Sequence, residues 1–161
     1  MLRAAARIKA PIVFVGSPNM LDSERKYVGQ FEGELESYPG YVKHIKFLSP
    51  GSRDLANAYA GAHVHALVSW VETPGLANLE AGINGANLVV GESPPVREYL
   101  ENCATFVCQQ ETEKISIALE EALSQKRDSR SQSSFIRNNY SWSRVSSMLV
   151  SIYYQTLKGL G

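Results

Sequence analysis

Five short runs of β-branched and aromatic character, each followed by a segment of helical pattern, constrain this chain more than any other feature. The runs are Ile12–Val15, Val42–Leu48, Val64–Trp70, Asn87–Gly91 and Thr105–Cys108. A strand followed by a helix has no hairpin partner beside it in sequence. It pairs in parallel with the next strand and lays its crossover helix on a face of the sheet. The pattern therefore predicts an α/β fold, a Rossmann-like open parallel sheet with helices on both faces. A chain of 161 residues, 44% of them hydrophobic, fits one domain, 1–161, with a real core.

The segments between the runs carry start and stop signals. Asp22 to about Tyr38 is helical, with Asp22-Ser23-Glu24 capping its start, and ends at Pro39-Gly40. Ser52 caps a short helix, Arg53–Ala60. Leu76, Leu79, Ile83 and Ala86 form one stripe of a helix, and Ser93-Pro94-Pro95 opens another that runs to Leu100. Thr112–Lys126 is a helix with Ile115, Ala118, Leu119 and Ala122 inward. Ser141 caps a last helix with Trp142, Val145, Leu149, Ile152 and Leu157 on one stripe, and Tyr153, Tyr154 and Leu157 on it form a patch suited to self-association into a homo-oligomer. Met1–Ala10, rich in Ala and Arg, is the end of a helix, and the polar stretch Arg127–Ser134 is a linker or helix start. Ligands of open parallel sheets bind beyond the carboxyl ends of the strands. Gly16, Leu48, Glu72 and Gly91, all at or after strand ends, should line that edge.

The stretch Val71-Glu72-Thr73-Pro74-Gly75-Leu76-Ala77-Asn78-Leu79-Glu80-Ala81-Gly82 holds the chemistry. Thr73 fits an N-cap and Pro74 a first helical position. The amides of Gly75, Leu76 and Ala77 then point outward at the positive end of a helix dipole, which suits an anion, and Gly75 lets a ligand approach the backbone. Glu72 and Glu80 flank the opening, so the ligand is better read as a phosphate joined to hydroxyl-bearing groups. The same spacing also fits a surface loop followed by a helix with a solvated glutamate.

Two glutamates separated by seven residues, with Gly-Leu between them and Leu-Glu-Ala at the end, resemble the signature of retaining glycosyltransferases of the GT-B fold, and more narrowly the group-1 family that uses nucleotide-sugar donors. The likeness extends through Phe47-Leu48-Ser49, Asp54-Leu55, Ala58–Ala62 and Leu67-Val68-Ser69, and on through Gly85, Leu88-Val89-Val90, Val96-Arg97-Glu98 and Tyr140-Ser141-Trp142. The resemblance implies a hexosyltransferase-type activity. Glu72 would be the catalytic carboxylate facing the donor sugar, and Thr73, Gly75, Leu76 and Glu80 would bind the donor, a nucleotide diphosphate sugar, with Glu80 on the ribose hydroxyls. It implies no cofactor and no essential metal. Thr73-Pro74 stands where many members carry Gly-Phe, which bears on donor choice. Against the family pattern the chain lacks the first strand with its basic clamp and the acceptor-binding N-terminal domain. That makes such a domain or partner chain the expected companion. Arg3, Arg7 and Lys9 lie on the wrong element to replace the clamp. A non-catalytic binding or assembly module on the same fold is the other reading.

Other classes are disfavoured. With 16 Lys+Arg against 16 Asp+Glu, the net charge of zero offers no field for nucleic acid. No apolar run spans a bilayer, and there is no G-x-G-x-x-G. Cys103 and Cys108 form neither a C-x-x-C pair nor half of a zinc site. They are expected to be free thiols in a reducing, cytoplasmic setting. His63 and His65 share a strand face, but no third metal ligand accompanies them.

Overall fold

The computed structural model describes residues 1–17, 25–38, 40–100, 102–127 and 130–159. Pro18, the proposed cap Asp22-Ser23-Glu24 and Pro39 lie outside the described residues. The elements run α1 (Leu2–Arg7), β1 (Ile12–Val15), α2 (Arg25–Glu36), β2 (Val42–Ile45), α3 (Arg53–Gly61), β3 (Val64–Leu67), α4 (Leu76–Ile83), β4 (Asn87–Gly91), α5 (Pro94–Leu100), β5 (Ala104–Val107), α6 (Thr112–Ser124), α7 (Ser131–Tyr140) and α8 (Trp142–Gly159).

All strand pairs are parallel. They form two ladders rather than one continuous sheet: β1–β2, and β3–β4–β5. In the larger ladder Val64 lies opposite Asn87 and Leu88 opposite Ala104, which makes β4 the central strand. Its side chains alternate between two buried clusters. Val89 packs with Ala4 of α1, Val107 of β5 and Ile115, Ala118, Leu119 and Ala122 of α6. Leu88 and Val90 face the opposite way, into Ala81, Ala86, Val96 and Leu100. A central parallel strand is buried on both faces, and its run of apolar residues is the mark of that position. Helices α1 and α6 cover one face, α4 and α5 the other. Ser116 of α6 stitches α1 down by donating to the Ala4 carbonyl at 3.3 Å.

Strands β2 and β3 are shorter than their apolar runs, because Lys46–Leu48 and Val68–Trp70 leave the ladders as loops. Helix α3 follows its expected start: the Ser52 hydroxyl accepts from the Leu55 amide at 3.2 Å. The last helix starts as expected too, with the Arg144 amide donating to the Ser141 hydroxyl at 3.4 Å. Helix α4 differs. Its buried residues are Asn78, Ala81 and Gly82, while Leu76 is 51% exposed and Leu79 and Ile83 are half-buried. The reason is α7, which packs on α4 through Ile136. A Cβ at Gly82 would come within 2.4 Å of Ile136 Cδ1, so the smallest residue faces the tightest contact. Gln132 of α7 donates to the Gly82 and Ala86 carbonyls at 3.1 and 2.9 Å.

Arg127 closes the carboxyl ends of two helices. Its guanidinium donates to the carbonyls of Gly85 at 3.1 Å, Ala60 at 2.8 Å and Asn84 at 2.7 Å. A cation there meets the negative end of the helix dipoles as well as their unpaired carbonyls. Helix α8 has no buried residue. Its apolar stripe is exposed from Trp142 (78%) to Leu157 (68%), and Tyr153 and Tyr154, expected with Leu157 to form a surface patch, share that exposure. Cys103 and Cys108 form no disulfide among the described residues; the first is half-buried and the second exposed. Among the described residues no helix is long and apolar enough to cross a membrane.

Ile136 is the one buried residue of α7. Ile136→Ala should therefore cost about 2–5 kcal/mol, as buried aliphatic truncations do, and loosen α7 from α4. Urea unfolding followed by circular dichroism measures this; a loss below the cost of a surface substitution would show that α7 is not held by this contact.

Candidate functional site

The site grows from the carboxyl end of β3. After Leu67 the chain passes through Val68 and Ser69, exposes Trp70 and Val71, and reaches Glu72, which is half-buried. The Thr73–Pro74 peptide is cis, and Gly75 has φ 70° and ψ 59°. Gly75, not Thr73, is the N-cap of α4, and Pro74 precedes the helix instead of opening it. Thr73 and Pro74 thus act through the shape of the turn. A left-handed residue directly before a helix is where glycine has its advantage.

Gly75 is also buried. A Cβ on it would lie 2.6 Å from Glu72 Cγ, 2.9 Å from Asn78 Nδ2 and 3.0 Å from the Tyr99 hydroxyl. The space that the glycine leaves is filled by the protein's own side chains, so it does not admit a ligand from that side. What remains for a ligand is the first turn of α4. The Asn78 amide donates back to the Gly75 carbonyl at 2.9 Å, while the Leu76 and Ala77 amides occupy first-turn positions that have no carbonyl a turn earlier in the helix to donate to.

Beneath the turn lies a polar chain that the sequence reading did not assemble. His65 of β3 bonds through Nε2 to Asn78 Oδ1 at 3.1 Å, Asn78 Nδ2 donates to the Tyr99 hydroxyl at 3.3 Å, and that hydroxyl donates to the Pro74 carbonyl. Asn78 is 1% exposed, and no buried side-chain polar atom among the described residues lacks a partner. Burial pulls His65 below its ordinary value and so favours the neutral ring, while the Asn78 bond acts in the opposite direction. Burial also pushes the Tyr99 hydroxyl up, with the Glu72 charge adding to it. The sequence signal for Asn78 is a polar residue on the face of a short helix that packs inward. His65 and His63 were read as a weak metal pair. They engage separate elements, since His63 Nε2 lies 2.9 Å from the Gln125 carbonyl. Among the described residues no group of three potential metal ligands occurs.

Glu80 is exposed and stands one turn along α4. Its neighbour is Tyr59 of α3, which is half-buried and whose phenol is pushed up to about 12, first by burial and then by its hydrogen bond to Glu80 and that carboxylate's charge. The Tyr59 ring meets His65 edge-on at 6.0 Å. The two glutamates therefore have different settings: Glu72 against Gly75 and near Tyr99, Glu80 with Tyr59.

The loops around the site are laced together. Gln109, after β5, donates to the Ser69 and Glu92 carbonyls at 2.9 and 2.8 Å, which joins the loops after β3 and β4. Gly91 permits this, because a Cβ there would meet the Ser69 carbonyl oxygen at 2.6 Å. Phe47, beyond β2, is 70% exposed. Gly16 and Leu48 follow the ends of the β1–β2 ladder, while Glu72 and Gly91 stand at the ends of the β3–β4–β5 ladder. Arg3 pairs with Glu34, and Arg7 with Glu113 at 3.5 Å. Both engage other elements.

Residues 1–142 match the description of glycosyl transferases group 1. The chain belongs to this family. Among solved structures it resembles sucrose-phosphate synthase from Thermosynechococcus elongatus with a TM-score of 0.81 and 17% identity, over 98% of this chain and 41% of that one. It resembles a UDP-forming α,α-trehalose-phosphate synthase from Burkholderia xenovorans, solved with glucose-6-phosphate, with a TM-score of 0.75 and 17% identity, over 94% and 40%. A third neighbour is Anabaena Alr3699/HepE, solved with UDP and glucose, at a TM-score of 0.64 and 17% identity, over 99% and 43%. The fold is thus the Rossmann-like fold of GT-B glycosyltransferases, and the chain spans about two-fifths of each neighbour's length. No curated protein matches the chain.

Tyr59 gives the site a measurable pH dependence. Its folded value of about 12 lies above the ordinary 10.0. The folded chain thus keeps a proton that the unfolded chain loses, and the linked stability is complete below about pH 10 and fades as the pH rises towards 12. Tyr59→Phe should make the fall in Tm between about pH 10 and 12 shallower; an unchanged slope would mean that this phenol titrates normally.

Proposed function

We propose that this chain is the donor-binding part of a retaining glycosyltransferase, moving a hexose from a nucleotide diphosphate sugar to an acceptor held by a second domain or partner chain. One observation carries the reading. In a chain of the group 1 family, the Glu72–Glu80 stretch forms a tight turn from the carboxyl end of a parallel strand into the first turn of a helix. The UDP and glucose held by the Anabaena neighbour support a nucleotide-sugar donor by analogy.

The roles follow from charge and position. The Leu76 and Ala77 amides face the growing negative charge on the diphosphate as the bond to the sugar breaks, when preorganised donors count most. Glu72 orients a sugar hydroxyl and favours positive charge at the anomeric carbon. Glu80 accepts from the ribose hydroxyls, exchanging part of its bond to Tyr59. The Gly75 and Thr73 backbone sets the turn that presents these groups. No metal has a part in this scheme.

In this reading the described residues supply the amides and the two carboxylates, and the acceptor is assigned to the second domain or partner chain. Transfer needs both substrates aligned in a dry site, so the isolated chain should bind a donor near the millimolar range, roughly −4 kcal/mol, and turn over none. A second reading, a non-catalytic assembly module, draws on the exposed apolar length of α8.

Calorimetry with UDP and UDP-glucose tests the roles. Glu80→Ala should weaken both ligands by about 1–3 kcal/mol through lost charge-assisted hydrogen bonds, and Glu72→Ala should weaken UDP-glucose more than UDP. Equal losses for both ligands in both variants would refute the division of roles. Wild-type binding to neither ligand nor to their guanosine and adenosine counterparts would favour the assembly module.

A further inference from the structure

We propose that His65, Asn78 and Tyr99 are positioning residues for the donor turn: a buried hydrogen-bonded relay from β3 through α4 to α5 fixes the Pro74 carbonyl, and through it the first-turn amides that take the donor's phosphate. The inference rests on the reading of the turn as the donor site.

The relay has one polarity. Asn78 Oδ1 can only accept, so the proton lies on His65 Nε2; Asn78 Nδ2 then donates to Tyr99, whose single hydroxyl proton goes to Pro74. Each member satisfies the next, and turning the Asn78 amide over would spend the Tyr99 proton on Asn78 and leave the Pro74 carbonyl without it. An amide that is 1% exposed on the inward face of α4 is costly unless both its ends are paired. Leucine there would suit a helix that only needed packing. The relay ends on the carbonyl one residue before the N-cap Gly75, so its far end bears on the turn and not on the core.

Tyr99 is itself held. Its ring meets Tyr140 of α7 edge-on at 5.9 Å, and its hydroxyl would lie 3.0 Å from a Cβ at Gly75. A larger residue at Gly75 would displace the hydroxyl and Asn78 together. At its other end the relay touches the Tyr59 ring through His65, and Tyr59 holds Glu80. None of the three side chains occupies the exposed face of the first turn; they act through Pro74 and Gly75.

Tyr99→Phe removes the bond to Pro74 and keeps the ring. In NMR titrations of the full chain with UDP, UDP-glucose and uridine, the variant should raise the dissociation constants of the two diphosphates about three- to tenfold, the worth of one net hydrogen bond. The constant for uridine, which engages only Glu80, should stay within about twofold. Asn78→Leu, which keeps the volume and cuts the relay at its middle, should give the same split if Tyr99→Phe does not fold. Unchanged diphosphate binding in a wild type that does bind would overturn the relay alone. Equal weakening of uridine and the diphosphates would also overturn it, since a general loss of fold weakens all three. Failure of the wild type to bind any of them would overturn the donor reading and the relay's role together.

Discussion

The burial of β4 on both faces sets the frame for everything else in this chain. Val89 closes one cluster and Leu88 with Val90 the other, so the strand cannot shift register by one residue without exchanging its two cores. That pins β3 and β5 on either side. The carboxyl ends of all three strands then lie together, and the loops that leave them are tied by Gln109 across Ser69 and Glu92. The turn into α4 inherits its position from a strand whose place is fixed by packing.

On that frame the turn is a local compromise. Its glycine is left-handed and buried, its carbonyls are engaged from below, and an asparagine occupies a place where an apolar residue would be easier to bury. A sequence selected for stability alone has little reason to place a polar chain under a tight turn. Departures from local consistency gather at sites that present groups to a ligand. On the proposed reading the presented groups are the first amides of α4, with one carboxylate before the turn and one on the helix.

Much of the fold was legible because the strand–helix alternation is strong. The α6 stripe of Ile115, Ala118, Leu119 and Ala122 reads directly as the buried face, and all four are buried. Strand β4 was legible to the residue, because the short apolar run Leu88-Val89-Val90 is bounded by Asn87 and Gly91. Helix α7 was not, since it is polar apart from Phe135 and Ile136 and has a single buried side chain. The buried face of α4 was misread for a related reason. Leu76 and Leu79 dominate its pattern, but the close approach of Ile136 selects Ala81 and Gly82 instead. In the proposed site, Glu72 and Glu80 stand out in the sequence by their spacing. Asn78, Tyr99 and Tyr59 were not, because each acts across elements that sequence distance separates. Thr73 looked like a cap because its chemistry suits one, yet the left-handed Gly75 begins the helix.

The central claim is that the donor sits at the turn between β3 and α4. Amide shift mapping by NMR during titration with UDP-glucose tests it most directly. The account predicts that the largest shifts fall on Gly75, Leu76 and Ala77, with Glu80 beside them. Shifts concentrated instead in the cavity at the opposite ends of the strands, lined by Asn87, Cys103, Gln125 and Gln132, with the turn unmoved, would contradict it.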